Sequence, residues 1–568
     1  MAYYTVAHLL HGGSLDGAAM AGPRGAGPLG VRADMLSEGL WDFVFLCDSP
    51  AEAEAAAARA LAAAPDLTRA QLDALRREFR YWYPLDLRVS GRDLIQNHLT
   101  MSLYNHAAVW GGGRADRMPQ AFFCNGHVLV DGEKMSKSKG NFLMLHEAVA
   151  RWSADATRFA LADAGDSLED ANFERDRADN AILRLTTEED YAAEALALAA
   201  AGKLRGGAEG AGAGALTAAA LAALEADPAL TYADRVFLSK ISWCVREAEA
   251  AYEGMRFREA LKYGFFELLL ARDAYRDFCE KVGAPAHAGV VRRFCDVLCV
   301  LIAPICPHWA EHVWGGVLGR AGSVTRAAWP LRGAEDETLL RADAYLAAKL
   351  HEFRLAIIKA TTVKASKQAR GIVAQPKPTH ATVFVASAWP PWQRKPLALL
   401  SGLWDPVAHA ATGGFPADAL KQVQALCAAD AELKPFLKRV MPLASTTMQA
   451  SERALASGRA GGEVSKRARE RACPDHPSPS HPPPARAPRQ DMAGRSERTA
   501  TLAMRMPFDE FAVWRDNAEY VRCALDLSGG VRVLRADDAA APLAPADDPQ
   551  GKAKDVFPGS PDVHAWAE

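Results

Sequence analysis

A chain of 568 residues, 49% of them hydrophobic, exceeds one ordinary domain and can bury several cores. Its formal net charge of -3 excludes a globally basic nucleic-acid binder, so any such surface has to be a local patch. The ten cysteines are scattered apart from Cys295, Cys299 and Cys306, which suits a reducing compartment. No apolar run reaches the roughly 18 residues of a bilayer span, and no basic stretch followed by an apolar one opens the chain as a secretion or transit signal would.

Residues Met1 to Leu10 read as the body of a helix that stops at Gly12-Gly13. Gly25-Ala26-Gly27-Pro28-Leu29-Gly30 formally matches GxGxxG, but no strand precedes it and a proline sits inside it, so a loop is expected. The alanine-rich residues 51 to 64 continue into a charged helix through Phe79, expected as a peripheral surface hairpin. In Tyr81 to Leu99, Leu85, Leu87 and Val89 alternate, Ser90-Gly91 makes a turn, and a helix runs from about Arg92 towards Trp110. Ligands bind at the carboxyl ends of strands in open α/β sheets, and Gly91 there allows backbone to approach a nucleotide. Asp93 opens the helix, where the positive helix end also explains an acid. His98 lies on the same helix, where a lone histidine is commonly a packed residue.

The next informative stretch is Asn125 to Phe142, an alternating apolar strand that enters Lys134-Met135-Ser136-Lys137-Ser138-Lys139 and closes on Gly140-Asn141. Three lysines and two serines on a glycine-bounded loop place cations and hydroxyl donors where a polyphosphate can lie. An arbitrary lysine-rich pentamer is a solvated loop, but the strand before this one and the helical pattern from Leu145 favour phosphate binding.

Lys134 to Ser138 is identical to the second signature of class I aminoacyl-tRNA synthetases, and Tyr81 to Leu99 resembles the leucyl enzymes of the archaeal and eukaryotic cytosolic type. The resemblance implies that Lys134 and Lys137 are the catalytic charges on departing pyrophosphate. It implies ATP binding by Lys134, Ser136, Lys137, Ser138, Gly91 and Asp93, with Asp93 on the ribose hydroxyls and the backbone of Asn125, Gly126 and His127 beside adenine. His98 falls in the amino-acid pocket. ATP and Mg²⁺ are the implied cofactors, with no metal held by protein ligands. Leucine and tRNA(Leu) are the implied partners, and the cytoplasm the implied location, with no membrane involved. Physical chemistry agrees, because nucleotidyl transfer gains mainly from positioning and from charges aimed at developing negative charge.

Ser153 to Asp166 opens with a helix-start signal and resembles the family's bridge into its helical domain. Patterning is helical from Asn172 to about Gly333, with an Ala/Gly insert near Gly206 to Ala215. His308-Trp309-Ala310-Glu311-His312 matches a reversed zinc-protease pattern, yet Pro307 and the apolar face of Cys295, Val297, Leu298 and Leu301 favour ordinary packing. Beyond it come a helix from Leu339 to about Lys359, a strand at Ala381 to Ala386, and helices near Ala417 to Ala428 and Leu433 to Val440. Ser451 to Arg498 is Pro/Ser/Arg-rich and expected disordered. Leu502, Met504, Met506 and Phe508 then alternate, followed by a helix from Asp509 to Leu525 and a strand at Val531 to Leu534, a β-α-β reading.

The expected architecture is an α/β catalytic half over 1–165, the rear part of a class I Rossmann-type nucleotide-binding fold. An α-helical bundle of the anticodon-binding type over 166–345 follows. A small α+β C-terminal domain begins at 346–450, is interrupted by the insert 451–499 and resumes over 500–568. The first class I signature, His-Ile-Gly-His, does not occur in the 568 residues, nor does the family's editing domain. The expectation is therefore a partial leucine–tRNA ligase sequence, inactive alone. The alternatives are a non-catalytic tRNA-binding or complex-assembly fragment, in a multi-synthetase complex for example, and a half-enzyme completed in trans by a separate N-terminal half.

Overall fold

A computed structural model describes residues 4–10, 27–111, 115–136, 138, 140–206, 217–362, 376–405, 414–449, 506–537, 548, 552–556, 558 and 560–566. The chain divides into two compact units, Met1–Ile182 and Leu183–Glu568. The insert at 451–499, Leu502 and Met504, most of the Ala/Gly insert, and Gly25 and Ala26 lie outside the described residues.

In the first unit the helices Pro50–Ala63 and Arg69–Trp82 each start with a reciprocal capping box. The Ser49 side chain accepts from the Glu52 amide while Glu52 reaches back, and Thr68 and Gln71 do the same, satisfying donors that a helix start leaves open. Their apolar stripes, Ala53, Ala56 and Ala60 on one and Leu72, Leu75 and Phe79 on the other, are buried with Leu40 and Phe43. The hairpin expected to be peripheral thus supplies the core of this unit. Alanine conceals that role in the sequence, because a small apolar side chain marks equally a close helix contact and a bland helix.

Strand β1 (Leu87–Gly91) pairs in parallel with β2 (Ala121–Asn125), Gly91 opposite Asn125. Ser90 and Gly91 therefore finish the strand and do not form a turn. The connection is one helical run in three geometries, a 3₁₀ turn at Arg92–Leu94, a π turn at Ile95–Leu99 and an α-helix Thr100–Trp110, so β1, helix and β2 make a β-α-β unit. The alternating stretch beyond Asn125 does not continue β2. Strand β3 (Val128–Val130) belongs to another sheet, between the antiparallel β4 (Glu133–Lys134) and the parallel β5 (Ala171–Phe173). The helix Leu145–Ala164 is kinked at Ser153, whose φ is 72° and whose Oγ accepts from the Ala156 amide at 3.3 Å. The helix-start signal read at Ser153 is real, but it restarts a helix already under way.

The second unit opens with helices. Ala288–Ile302 is buried on nearly every side, as the central helix of a bundle must be. Two ion pairs cross the interior, Arg272 with Glu188 and Arg320 with Asp296. The His308 to His312 pattern is dispersed by packing. Glu311 accepts from Ser323 Oγ at 3.0 Å and the Val324 amide at 2.9 Å, while His312 meets Glu189 at 3.0 Å. Further on, β6 (His380–Val385) lies between β7 (Val531–Arg535), parallel, and β8 (Asp562–Trp566), antiparallel. Tyr345, Phe353, Val383, Trp514 and Val521 build the core against it. Met506 and Phe508 pack on that core without strand geometry, so the strand parallel to β7 is β6, more than a hundred residues away in sequence. The expected helix Asp509–Leu525 breaks at Asn517 into Glu510–Asp516 and Ala518–Ala524, and Asn517 Nδ2 donates to Val513 O at 2.8 Å.

Candidate functional site

The register of β1 and β2 gathers most of the residues singled out in the sequence. Gly91 and Asn125 face each other at the carboxyl ends of the parallel pair, Asp93 follows Gly91 by two residues, and Gly126 and His127 follow Asn125. The Asp93 carboxylate folds back over Gly91, and a Cβ there would lie 2.6 Å from its Oδ1. Glycine at 91 and the acid at 93 are therefore one steric unit, and the carboxylate remains exposed.

The segment Ser167–Ala171 clasps the end of β2. The Gly126 amide donates to Ser167 O (3.2 Å), the His127 amide to Asp170 Oδ1 (2.8 Å), and the Ala171 amide to His127 O (3.0 Å). Arg92 ties the same segment to the start of the helix by donating to Leu168 O (2.8 Å) and pairing with Asp170 (2.8 Å). Gly126 is so close to Glu169 that no side chain fits. Its own amide and that of His127 are occupied, while Asn125 Nδ2 donates to Gly126 O at 2.8 Å. Sequence reading missed Arg92 and Asp170. Asp170 lies between the stretches read as helical, Ser153 to Asp166 and from Asn172 on, and the three-residue β5 beside it is too short to show a period.

The lysine-serine loop starts from a tight hairpin. Asp131 and Gly132 have φ of 50° and 83°, the two positive values of a type I′ turn, for which Asp-Gly is a favoured pair. Its foot is fixed on three sides. The Asp131 amide donates to Phe173 O (3.0 Å), the Gly132 amide to Asn172 Oδ1 (2.6 Å), and Asp131 pairs with Arg175 (3.1 Å). Beyond β4, Asn141 closes the loop through its side chain, with Oδ1 accepting from the Ser136 amide (2.8 Å) and Nδ2 donating to Lys134 O (3.1 Å). Ser136 and Ser138 hydroxyls are 2.8 Å apart. Lys134 is exposed on this hairpin; Lys137 and Lys139 lie outside the described residues.

His98 is placed differently from the others. It is exposed on the π turn, with Arg88 Nη2 at 3.3 Å from either ring nitrogen. Exposed apolar side chains stand on the same strand and helical run, Val89 (63% exposed) on β1 and Ile95, Met101, Tyr104 (66% exposed) and Val109 after it. The structure thus joins Gly91, Asp93, Asn125, Gly126 and His127 at one sheet end, carries Lys134, Ser136 and Ser138 on a hairpin of the adjoining sheet, and leaves His98 on a surface instead of in a pocket. Among the described residues no three His, Cys, Asp or Glu side chains converge as metal ligands would.

Two family models match this chain, "tRNA synthetases class I (M)" over residues 67–184 and "Anticodon-binding domain of tRNA ligase" over 234–381. Among curated proteins, the chain is 38% identical over 446 residues to the cytoplasmic leucine–tRNA ligase of Pongo abelii, covering 78% of this chain and 33% of that one. It is 40% identical over 346 residues to the enzyme of the same name from Arabidopsis thaliana, with 61% and 28% covered. The match to that of Neurospora crassa is 36% over 416 residues, with 73% and 33% covered. The chain spans about a third of the length of these curated relatives.

Proposed function

The chain belongs to the leucine–tRNA ligase family of class I tRNA synthetases, and from that premise we propose that it forms the rear half of a site that activates leucine with ATP and transfers it to tRNA(Leu) in the cytoplasm. The observation that carries the reading is the meeting of Gly91 and Asp93 with Asn125, Gly126 and His127 at the carboxyl ends of a parallel strand pair, where α/β folds bind nucleotides. Asp93 accepts from the ribose hydroxyls. Gly91 keeps the backbone low enough for the nucleotide to approach. The Gly126 and His127 amides are engaged, so these residues meet adenine as a peptide surface and not as donors. Lys134 and Lys137, aided by the Ser136 and Ser138 hydroxyls, neutralise the charge that grows as pyrophosphate leaves.

Mg²⁺ fits this site as a companion of the ATP phosphates and not as a protein-caged ion, since Asp131, at the foot of the loop, is already paired with Arg175 and among the described residues no three His, Cys, Asp or Glu converge. Such an ion supplies charge on the phosphate oxygens. The exposed apolar side chains on β1 and on the helical run of His98 fit a cover by a second β-α-β half, which would turn His98 into the wall of an amino-acid pocket. That half either precedes these residues on the same polypeptide or is supplied in trans. A second reading, a tRNA-binding or assembly fragment without catalysis, draws on the match to an anticodon-binding domain.

ATP–pyrophosphate exchange with leucine tests both. We expect none from the 568-residue chain alone, and exchange once it is combined with a polypeptide carrying a His-Ile-Gly-His half. Lys134→Ala should then lower the rate by about 10²-fold, the scale of losing one aimed charge. Exchange indifferent to Lys134→Ala overturns the role given to the loop. A silent mixture in which the chain still binds tRNA(Leu) favours the second reading.

A further inference from the structure

Lys134 stands on a support too short to aim it. Strand β4 consists of Glu133 and Lys134, and its register with β3 sets Val130 opposite Glu133 and Leu129 opposite Lys134. A hairpin with so short a ladder is marginal by itself in water, so the direction in which it presents the ammonium depends on what grips it from outside. The grip comes across β3. Leu129 is paired with Lys134 on one side and with Asn172 of β5 on the other.

Asn172 reaches past its place in the strand. Its Oδ1 accepts from the Gly132 amide at 2.6 Å, and its Nδ2 donates to Glu174 Oε1 at 3.1 Å. Glu174 accepts in turn through Oε2 from Arg177 Nε at 2.6 Å, and Arg177 Nη1 donates to Asp163 Oδ2 at 2.7 Å. Asp163 lies in the last turn of the helix Leu145–Ala164, the element that follows the lysine-serine loop. A line of hydrogen bonds therefore joins the turn before the loop to the helix after it, by a route that bypasses the loop. A side-chain amide suits the middle of that line because it accepts and donates at once. The Glu174 carboxylate, fixed by Arg177, settles which way the amide faces, since the reversed amide would set oxygen against carboxylate and NH₂ against the Gly132 N–H.

We propose that Asn172 is a positioning residue for the step that expels pyrophosphate: through the Gly132 amide it fixes the hairpin that aims Lys134, while Glu174 and Arg177 fix Asn172 itself. This rests on the role given above to Lys134. A charge aimed at pyrophosphate as it departs acts mainly in the transition state, so misdirecting it lowers kcat and leaves KM nearly unchanged. A residue that works only through Lys134 has nothing left to contribute once that ammonium is gone.

ATP–pyrophosphate exchange by the full chain, combined with the polypeptide carrying the His-Ile-Gly-His half, tests this on wild type, Asn172→Ala, Lys134→Ala and the double variant. Asn172→Ala should lower kcat about tenfold with KM for ATP and leucine within about twofold, the effect of a displacement of part of an ångström. The double variant should be no slower than Lys134→Ala alone. Glu174→Ala, at a half-exposed position and so expected to fold, should lower kcat a few-fold in the same way. In the full chain by itself, amide hydrogen exchange of both Asn172→Ala and Glu174→Ala should quicken at residues 131–136 and keep wild-type rates at 69–82. Unchanged kcat in both variants, a loss confined to KM, or losses that multiply in the double variant overturn the inference and leave the nucleotide reading standing. A wild-type mixture without exchange overturns that reading, and the inference with it.

Discussion

Gly126→Ala is the sharpest test of how the sheet end is assembled. A Cβ at this position would lie 2.1 Å from Glu169 O and 2.8 Å from the Asp170 amide nitrogen. Both are backbone atoms, so no rotamer change makes room, and the clasp has to open. Overpacking of this kind costs about 1–3 kcal/mol. Loosening the Gly126 amide from Ser167 O and the His127 amide from Asp170 adds about 1 kcal/mol each. With partial relaxation the local penalty is about 3 kcal/mol, close to a 10²-fold shift in the opening equilibrium. A chain of two units does not report such a change through one melting transition, so the assay is amide hydrogen exchange on peptides covering 121–130 and 166–173. Exchange there should accelerate by about 10²-fold. Gly315→Ala, where an added Cβ meets nothing within 4 Å, should leave its own peptide unchanged. Exchange within about threefold of wild type in Gly126→Ala would show that the clasp does not hold the strand end.

The second unit offers two further tests. Arg272 pairs with the buried Glu188 and stacks 4.4 Å from the Tyr191 ring. Arg272→Met should destabilise by about 3–5 kcal/mol by stranding the carboxylate, and adding Glu188→Leu should recover most of that; equal Tm losses for the single and double variants would refute the account. At Asp234, burial alone would raise the carboxyl. Hydrogen bonds from Tyr275, Thr231 and Arg205 outweigh it and hold the group below its ordinary 3.8. A depressed folded value gives stability that is complete above the unfolded value and lost as pH falls through the folded one. Wild type should therefore lose Tm more steeply than Asp234→Asn below about pH 4, and parallel Tm–pH curves would count against this.

How much of this was legible in the residues depended on the range of each signal. The loop closed at Gly140-Asn141 is local chemistry, and Asn141 closes it where the sequence pattern points; the Asp131-Gly132 turn is equally local but interrupts what reads as one continuous strand. Ser153 shows a local signal read correctly in the wrong context: the pattern from Leu145 already reads as helical, but nothing local says that Ser153 kinks that helix and does not begin another. The parallel partner of β7 reads as a strand at Ala381 to Ala386, but its pairing with β7 could not be read. It is paired across the chain by burial, and the alternation at Met506 and Phe508 arises from two side chains packing on a core, not from a strand. At the site, Gly91 and Asp93 declared themselves in one short block. Arg92 and Asp170 did not, since their contact exists only once residues 76 to 78 positions apart are folded together.

The open border of β1 has a consequence of another kind. Among the described residues this strand is hydrogen-bonded on one side only, and Val89 on it and Met101, Tyr104 and Val109 on the helix that follows are exposed. A bare strand border, with oily side chains exposed on it and after it, is a template for another copy of itself. Without something to sheathe that border, the polypeptide is limited by crowding and solubility well before it is limited by heat.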